Sequence, residues 1–419
     1  MMKLRFDTVV ACIAGLGFVL SCAFSFLVLP HVVQSYNVNL DADENGALAY
    51  NIFAGNGMRY SEHDPLALDR GPVYPFLVAG LFYLSGGYAV WIVQIAQALL
   101  HAATTIVVYL LGVRLYSRTI AMRAQLLCAV HPILLWYTGR IWIETTHAFL
   151  LALTALVVVD VYTRPGVLKA IKAGVFVGLT SLTKSVILLF PLLLMLLMWR
   201  KHRTSGLMYG ATVLVTCVAM VVPWTLRNYS VSGAFVPVHT SLGFNLIQGD
   251  VIGEQWPGRW CCNLDFWHVG QARVDSVLQS RGITSFRGVE GERLLVRETL
   301  HRYAEYPGFL PRRIVANFFL FWSLSESPLK SLVFGLLQWT LLLAGLVAYL
   351  RYGRHNANLL PVVAMTAYYI AVHASIVGWA RYSMAIIPLL LLLAVGLFEH
   401  NNGKSIRPRG VPDPTTVQR

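Results

Sequence analysis

Three carboxylates crowd into four positions at Asp41, Asp43 and Glu44, just after the first long apolar run. A carboxylate in such a place can take the proton of an attacking hydroxyl, or it can do nothing more than end a helix. The residues that follow, through Gly55-Asn56-Gly57, read as a short amphipathic helix closed by a turn. Asp41 and Asp43 can each cap that helix. Glu44 lies three positions after Asp41 and reads equally well as a solvated neighbour on the same face.

Cations recur at the same depth along the chain. Arg59, Arg70, Arg140, Lys184, Arg227 and Arg381 each stand beside the end of an apolar run. Arg140 and Glu144 are four apart and can pair on one helix face. Lys184 sits between two apolar runs, where a charge is costly unless it is paired or faces a cavity. Arg227 follows Pro223-Trp224 and reads equally as a snorkelling anchor. Carboxylates and cations from separate parts of the chain, brought to one depth, suit a phosphate-bearing lipid: cations hold the phosphate and a carboxylate moves a proton.

The elements that position these residues are membrane spans. Hydrophobic residues make up 56% of the 419, charged residues only 13%, and mean hydropathy is +0.60. A soluble chain carries about a quarter charged residues. Apolar runs recur from residue 8 to residue 397, which predicts an all-α polytopic protein of about ten spans. With the N-terminus cytoplasmic, Thr8–Leu29 delivers the acidic stretch outside and is a retained anchor, since no cleavage site follows Lys3 and Arg5. The run after Arg70 is only about fifteen residues long and suits a helix lying in the interface. Further spans follow over 89–113, 124–139, 145–163, 173–183, 186–199, 207–224, 329–350, 359–376 and 383–398. Every short inner loop is then basic. The organisation is a transmembrane module over 1–225 containing outer loop 30–88, an outer segment over 226–328, C-terminal transmembrane helices over 329–400 and a cytoplasmic tail over 401–419. Helical periodicity within the outer segment covers about Glu290–Tyr303.

Several functions are disfavoured. The net charge of +13 lies in loops beside apolar runs, where it reports topology and anionic lipid, not nucleic acid. The histidines lack the spacing of a metal pair, and Cys261-Cys262 make neither a metal spacing nor an easily closed disulfide. No phosphate-binding glycine loop or nucleophile elbow is present.

The order of the charged motifs carries a resemblance. An acidic helix after the first span is followed by Arg-Gly-Pro-Val-Tyr-Pro from Arg70 and a basic Gly-Val-Arg-Leu-Tyr-Ser-Arg turn from Gly112. Next come Gly-Arg-Ile-Trp-Ile-Glu ending at Glu144, Gly-Leu-Thr-Ser-Leu-Thr-Lys-Ser around Lys184, Pro-Trp-Thr-Leu-Arg-Asn-Tyr around Arg227 and Ala-Arg-Tyr-Ser-Met-Ala-Ile-Ile-Pro from Ala380. This pattern resembles the bacterial membrane glycosyltransferases of the glycosyltransferase-C superfamily, near protein O-mannosyltransferases and lipid A aminoarabinose transferases. The resemblance implies transfer of a sugar from a polyprenyl-phosphate carrier to a glycan, lipid or protein acceptor at the outer face of the bacterial inner membrane, with inversion at the anomeric carbon. Leu48-Ala49-Tyr50-Asn51 looks like the family's Leu-Ala-x-Asn and places its catalytic acid on Asp41. Asn45 stands where the family usually has Tyr, so Asp43 remains a second candidate. Glu144 falls where relatives carry an acid in the second outer loop, and Lys184 replaces a frequent Arg.

The resulting expectation assigns proton transfer to Asp41, with Asp43 in reserve and Glu144 positioning the acceptor or completing a cation site. Lys184, Arg227, Arg381 and Arg70 would bind the donor phosphate, with no essential metal or cofactor. The rival is a lipid or oligosaccharide transporter or flippase, which would place facing ionisable residues near mid-span; the spans here are nearly free of them.

Overall fold

The computed structural model describes residues 7–36, 39–351 and 353–398. Lys3, Arg5 and the tail over 401–419 lie outside them. Every element among the described residues is helical.

Helix α1 (Thr8–Gln34) leads to the acidic stretch and the short α2 (Asn45–Phe53), followed by α3 (Val73–Ser85). α3 has 13 residues, too few to cross a bilayer upright at 1.5 Å per residue. Then come α4 (Val90–Leu115), α5 (Arg118–Ala129), α6 (Pro132–Thr138), α7 (Glu144–Thr163), α8 (Val167–Thr183) and α9 (Phe190–Ser232). The segment between the membrane helices carries α10 (Leu242–Gln255), α11 (Asn263–Gln279), α12 (Val289–Glu305) and α13 (Phe309–Leu320), and α14 (Pro328–Arg351) and α15 (Leu360–Ile376) follow. The last helix, α16 (Ala380–Phe398), contains 3-10 turns.

Among the described residues, seven helices, counting the short turns joined to their ends, are long and apolar enough to span, or eight if the pair α5 and α6, bent by 50°, crosses as one. The sequence expectation of about ten is reached only by adding α8, of 17 residues, and dividing α9. That division has a physical basis. Arg203 breaks the helix at φ 54 and ψ −131. A Cβ built on Gly206 would meet the Met198 carbonyl at 2.0 Å, and one on Gly210 would meet Met195 at 2.7 Å. Those pairs run in opposite directions along the chain, so the two halves pack as a hairpin.

α7 and α16 form the centre and are mostly buried, whereas α1 lies at the rim and is mostly exposed. Ile387 through Val395 are all buried, as expected of a helix that is apolar all round. The starts of α4, α7 and α16 and the ends of α8 and α15 gather near the acidic stretch. That end of the bundle holds the candidate site.

Candidate active site

The acidic stretch is pinned before it does anything else. The Leu40 carbonyl accepts the Ile141 N–H at 2.9 Å, tying it to the segment between α6 and α7. Asp41 then turns back over the start of α2. Its carboxylate accepts the Gly46 N–H at 2.8 and 3.0 Å and the Ala47 N–H at 3.3 Å. Gly46 allows this approach, because a Cβ there would stand 2.6 Å from Asp41 Oδ2. Asp41 therefore caps α2 as well as lying at the site. Burial outweighs those N–H donors and raises its carboxyl to about 6.

Asp43 points the other way. Its two oxygens accept hydrogen bonds from Arg381 Nη1 at 3.0 and 3.1 Å. Burial alone would raise this carboxyl, but the charges of Arg381, Arg70 and Lys184 outweigh it and hold Asp43 below the usual range. Arg381 also donates to the Tyr382 hydroxyl at 3.2 Å. Its guanidinium lies 5.2 Å from the rings of both Trp142 and Trp379.

Glu144 opens α7 and is 3% exposed. Its Oε2 has no hydrogen-bond partner, and its charged neighbours are Arg381, Lys184 and Asp43. Lys184 sits in extended backbone between α8 and a 3-10 turn, with Nζ 3.6 Å from the Tyr382 ring centre. Gly71 packs against the end of α8, just before Lys184. A Cβ on it would meet the Leu182 carbonyl at 2.2 Å. Arg70, beside it, bonds Asp69 at 3.3 Å and has Asp43 as a charged neighbour.

Five segments separated in sequence thus bring Asp43, Arg70, Glu144, Lys184 and Arg381 together, with Asp41 two residues from Asp43. Arg227 is engaged elsewhere: it donates to the Ala67 carbonyl at 2.7 Å and stacks 4.6 Å over Trp224. Two sequence expectations need correction. Arg140 does not pair with Glu144, because Gly139–Ile143 is irregular and breaks the helix between α6 and α7; Arg140 pairs with Glu326 at 3.5 Å instead. Glu44 is not merely solvated, since Arg287 binds it.

That second contact belongs to a network the sequence did not disclose. Asp69, 1% exposed, accepts the Tyr60 hydroxyl at 2.7 Å, and Arg287 lies 3.8 Å from its carboxylate. Arg287 also covers the Tyr60 ring at 3.7 Å. The segment before α12 is thereby strapped across the loop before α3. The only local signal was the adjacency of Asp69 and Arg70. His147 and His373, remote in sequence, flank Tyr369 at 5.9 and 4.7 Å between ring centres. Among the described residues, no three His, Cys, Asp or Glu side chains converge as a metal site would require.

Comparison with known proteins agrees with this architecture. Residues 69–225 match the family described as dolichyl-phosphate-mannose-protein mannosyltransferase. An archaeal oligosaccharyltransferase, AglB from Archaeoglobus fulgidus in complex with an inhibitory peptide and a dolichol-phosphate, superimposes with TM-score 0.58 at 12% identity, over 93% of this chain and 50% of that one. The apo form of the Archaeoglobus fulgidus oligosaccharyltransferase gives 0.57 at 14% identity, over 94% and 50%. ArnT from Cupriavidus metallidurans bound to undecaprenyl phosphate gives 0.43 at 15% identity, over 94% of this chain and 78% of that one. The chain spans about half the length of the oligosaccharyltransferases. The comparison with curated proteins gives no match.

The chain shares its fold with the archaeal oligosaccharyltransferases, and among its described residues seven helices are long and apolar enough to cross a membrane. Within that fold, the stretch from Asp69 to Thr225, near the end of α9, is the part that matches the mannosyltransferase family.

Proposed function

We propose that this protein is an inverting glycosyltransferase that moves a sugar from a polyprenyl-phosphate donor to a glycan, lipid or protein acceptor. The observation that carries the reading is the half-buried Asp43–Arg381 pair beside Lys184 and Glu144, at one end of a bundle whose fold is shared with an oligosaccharyltransferase in complex with a dolichol-phosphate. Lys184 and Arg381 hold the departing lipid phosphate, with Arg70 behind them. As the glycosidic C–O bond breaks, their charges stabilise the negative charge growing on that phosphate. Arg227, bonded to the Ala67 carbonyl, fixes the segment that carries Arg70.

Asp41 is the general base. Its carboxyl, raised to about 6, accepts the acceptor hydroxyl proton as the oxygen attacks the anomeric carbon. Asp43, held ionised, is a poor base and orients Arg381. Glu144 positions the acceptor. The reaction needs no cofactor or essential metal.

We place the protein in the bacterial inner membrane with the site facing the periplasm or exterior. The support is charge asymmetry: Arg114, Arg164, Lys169 and Arg351 lie at the far ends of their helices or in the turns beyond them, away from the site. The test is Asp41→Asn in membranes supplied with a polyprenyl-phosphate sugar. A loss of roughly a hundredfold or more is expected, and full turnover at unchanged expression would end Asp41's claim.

A further inference from the structure

Beside the proposed donor site stands a second buried cation that the transfer does not use. Arg140 is 3% exposed and sandwiched between two indoles, 5.0 Å from the Trp136 ring centre and 4.7 Å from that of Trp142. Its one acidic partner, Glu326, is 3.5 Å away and is more closely bound to Lys330. Lys330 also lies 4.2 Å from the Trp136 ring centre. The cluster thus contains two cations for one carboxylate, in a buried setting where an undercompensated charge is costly.

The unmet hydrogen bonds here are all of one kind. Arg140 Nε, Trp136 Nε1 and Trp142 Nε1 are buried donors without an acceptor. A buried donor left unpaired costs about 1–3 kcal/mol. Two indole donors beside a guanidinium whose own Nε is unpaired fit an oxygen-rich anion, and a phosphate group offers the acceptor oxygens to match.

The position says which substrate carries that anion. Trp142 is shared: Arg381 lies 5.2 Å from the same ring that Arg140 covers. Arg140 is thus adjacent to the donor site without being part of it. Its own segment is bonded to the acidic stretch, Ile141 donating to Leu40 immediately before Asp41. An anion at Arg140 therefore sits beside the proposed base.

We propose that Arg140, with the indole N–H groups of Trp136 and Trp142, forms a second anion subsite that holds a phosphate group of the acceptor. Naming the occupant as the acceptor rests on the transfer proposed above; the subsite itself does not.

The test uses the full chain in phosphatidylcholine nanodiscs, with calorimetric titration of dihexanoyl phosphatidic acid, inorganic phosphate and citronellyl phosphate. Arg140→Gln should weaken phosphatidic acid by about tenfold or more, while citronellyl phosphate changes less than about twofold. Trp142→Phe keeps the ring and removes one donor, and should weaken phosphatidic acid by about threefold or more with an unchanged melting temperature. If Arg140→Gln does not fold, Trp142→Phe and Arg140→Lys carry the test. Equal Arg140-dependent binding of inorganic phosphate would assign the site to the phosphate group alone, and selective binding of phosphatidic acid to a lipid headgroup. Wild-type protein that binds neither phosphatidic acid nor inorganic phosphate, or binding unchanged in every variant that folds, would overturn the subsite. Arg140-dependent binding without any citronellyl phosphate binding would leave the subsite standing and remove the transferase reading.

Discussion

Asp43 and Arg381, 338 positions apart, meet through two hydrogen bonds of 3.0 and 3.1 Å to a single guanidinium nitrogen. The contact joins the loop after the first span to the start of the last. It makes the proposed phosphate clamp a property of the folded bundle and not of either segment alone. It also divides the labour among the acids: Asp43 is occupied by a cation, whereas Asp41 is held by backbone N–H groups and keeps a raised proton affinity.

Removing Asp43 should therefore damage assembly as well as chemistry. Asp43→Asn leaves Arg381, a largely buried cation at 15% side-chain exposure, without its main partner and should cost roughly 3 kcal/mol of stability. Arg381→Lys keeps a charge but loses the planar fork, and should lower kcat/KM for a polyprenyl-phosphate sugar by about ten- to a hundredfold. Glu44→Gln is the control. Its pair with Arg287 is half exposed on the acid side and should change stability by less than about 1 kcal/mol. Thermal unfolding in detergent and turnover in membranes separate the three.

The pH dependence follows from Asp41. A general base works ionised, so activity should rise with pH through about 6 and fall about tenfold per unit below it. Stability has the opposite sign. Because the folded-state carboxyl sits above its ordinary 3.8, the fold favours the protonated form. That contribution is fully present below 3.8 and is lost as pH rises through about 6. Asp41→Asn should flatten both profiles there. A kcat/KM profile that keeps its acid limb in this variant would assign the limb to another group.

Gly71 offers a packing test of Lys184. The Cβ of Gly71→Ala would meet the Leu182 carbonyl at 2.2 Å and that of Thr183 at 3.1 Å, so the end of α8, which leads directly into Lys184, has to move. Overpacking of this kind costs about 1–3 kcal/mol. The expected result is weaker citronellyl phosphate binding than this stability loss explains. Gly80→Ala, at a position with nothing within 4 Å, should leave binding unchanged.

How much of this was legible in the sequence depended on the range of each interaction. Apolar run length and basic loops located most of the membrane helices, the short α3 and the hairpin at Arg203, since these depend on local composition. Helical periodicity over Glu290–Tyr303 similarly located α12, which runs Val289–Glu305. Charge type and depth named Lys184, Glu144 and Arg381 as partners. Pairing identity was not legible. Arg140 looked bonded to Glu144 because four residues separate them, yet the chain is not helical between them, and Glu326 arrives from 186 residues away. Arg287 on Glu44, like Asp43 on Arg381, joins elements whose juxtaposition no local pattern encodes.

The segment between α9 and α14 reaches the backbone before Arg381 through Arg313. This side chain is fully buried, 2.6 Å from Asp250, which is 1% exposed. It also donates to the Ile376 carbonyl at 2.6 Å and to that of Ser375, at the end of α15. A cation here satisfies carbonyls that the helix terminus leaves free. Asn317, one turn on, accepts the Gly378 N–H at 3.0 Å, and Leu324 accepts that of Ala380 at 3.1 Å. The backbone from α15 to Arg381 is therefore set by α13 and the loop after it. Arg313→Met should destabilise the protein by roughly 3–5 kcal/mol, since Asp250 loses its closest cationic partner. If Arg313 acts through Arg381, its effect on prenyl-phosphate affinity should largely vanish in an Arg381→Lys background, because residues that share one pathway are not additive. Additive losses in that cycle would make Arg313 a purely structural residue.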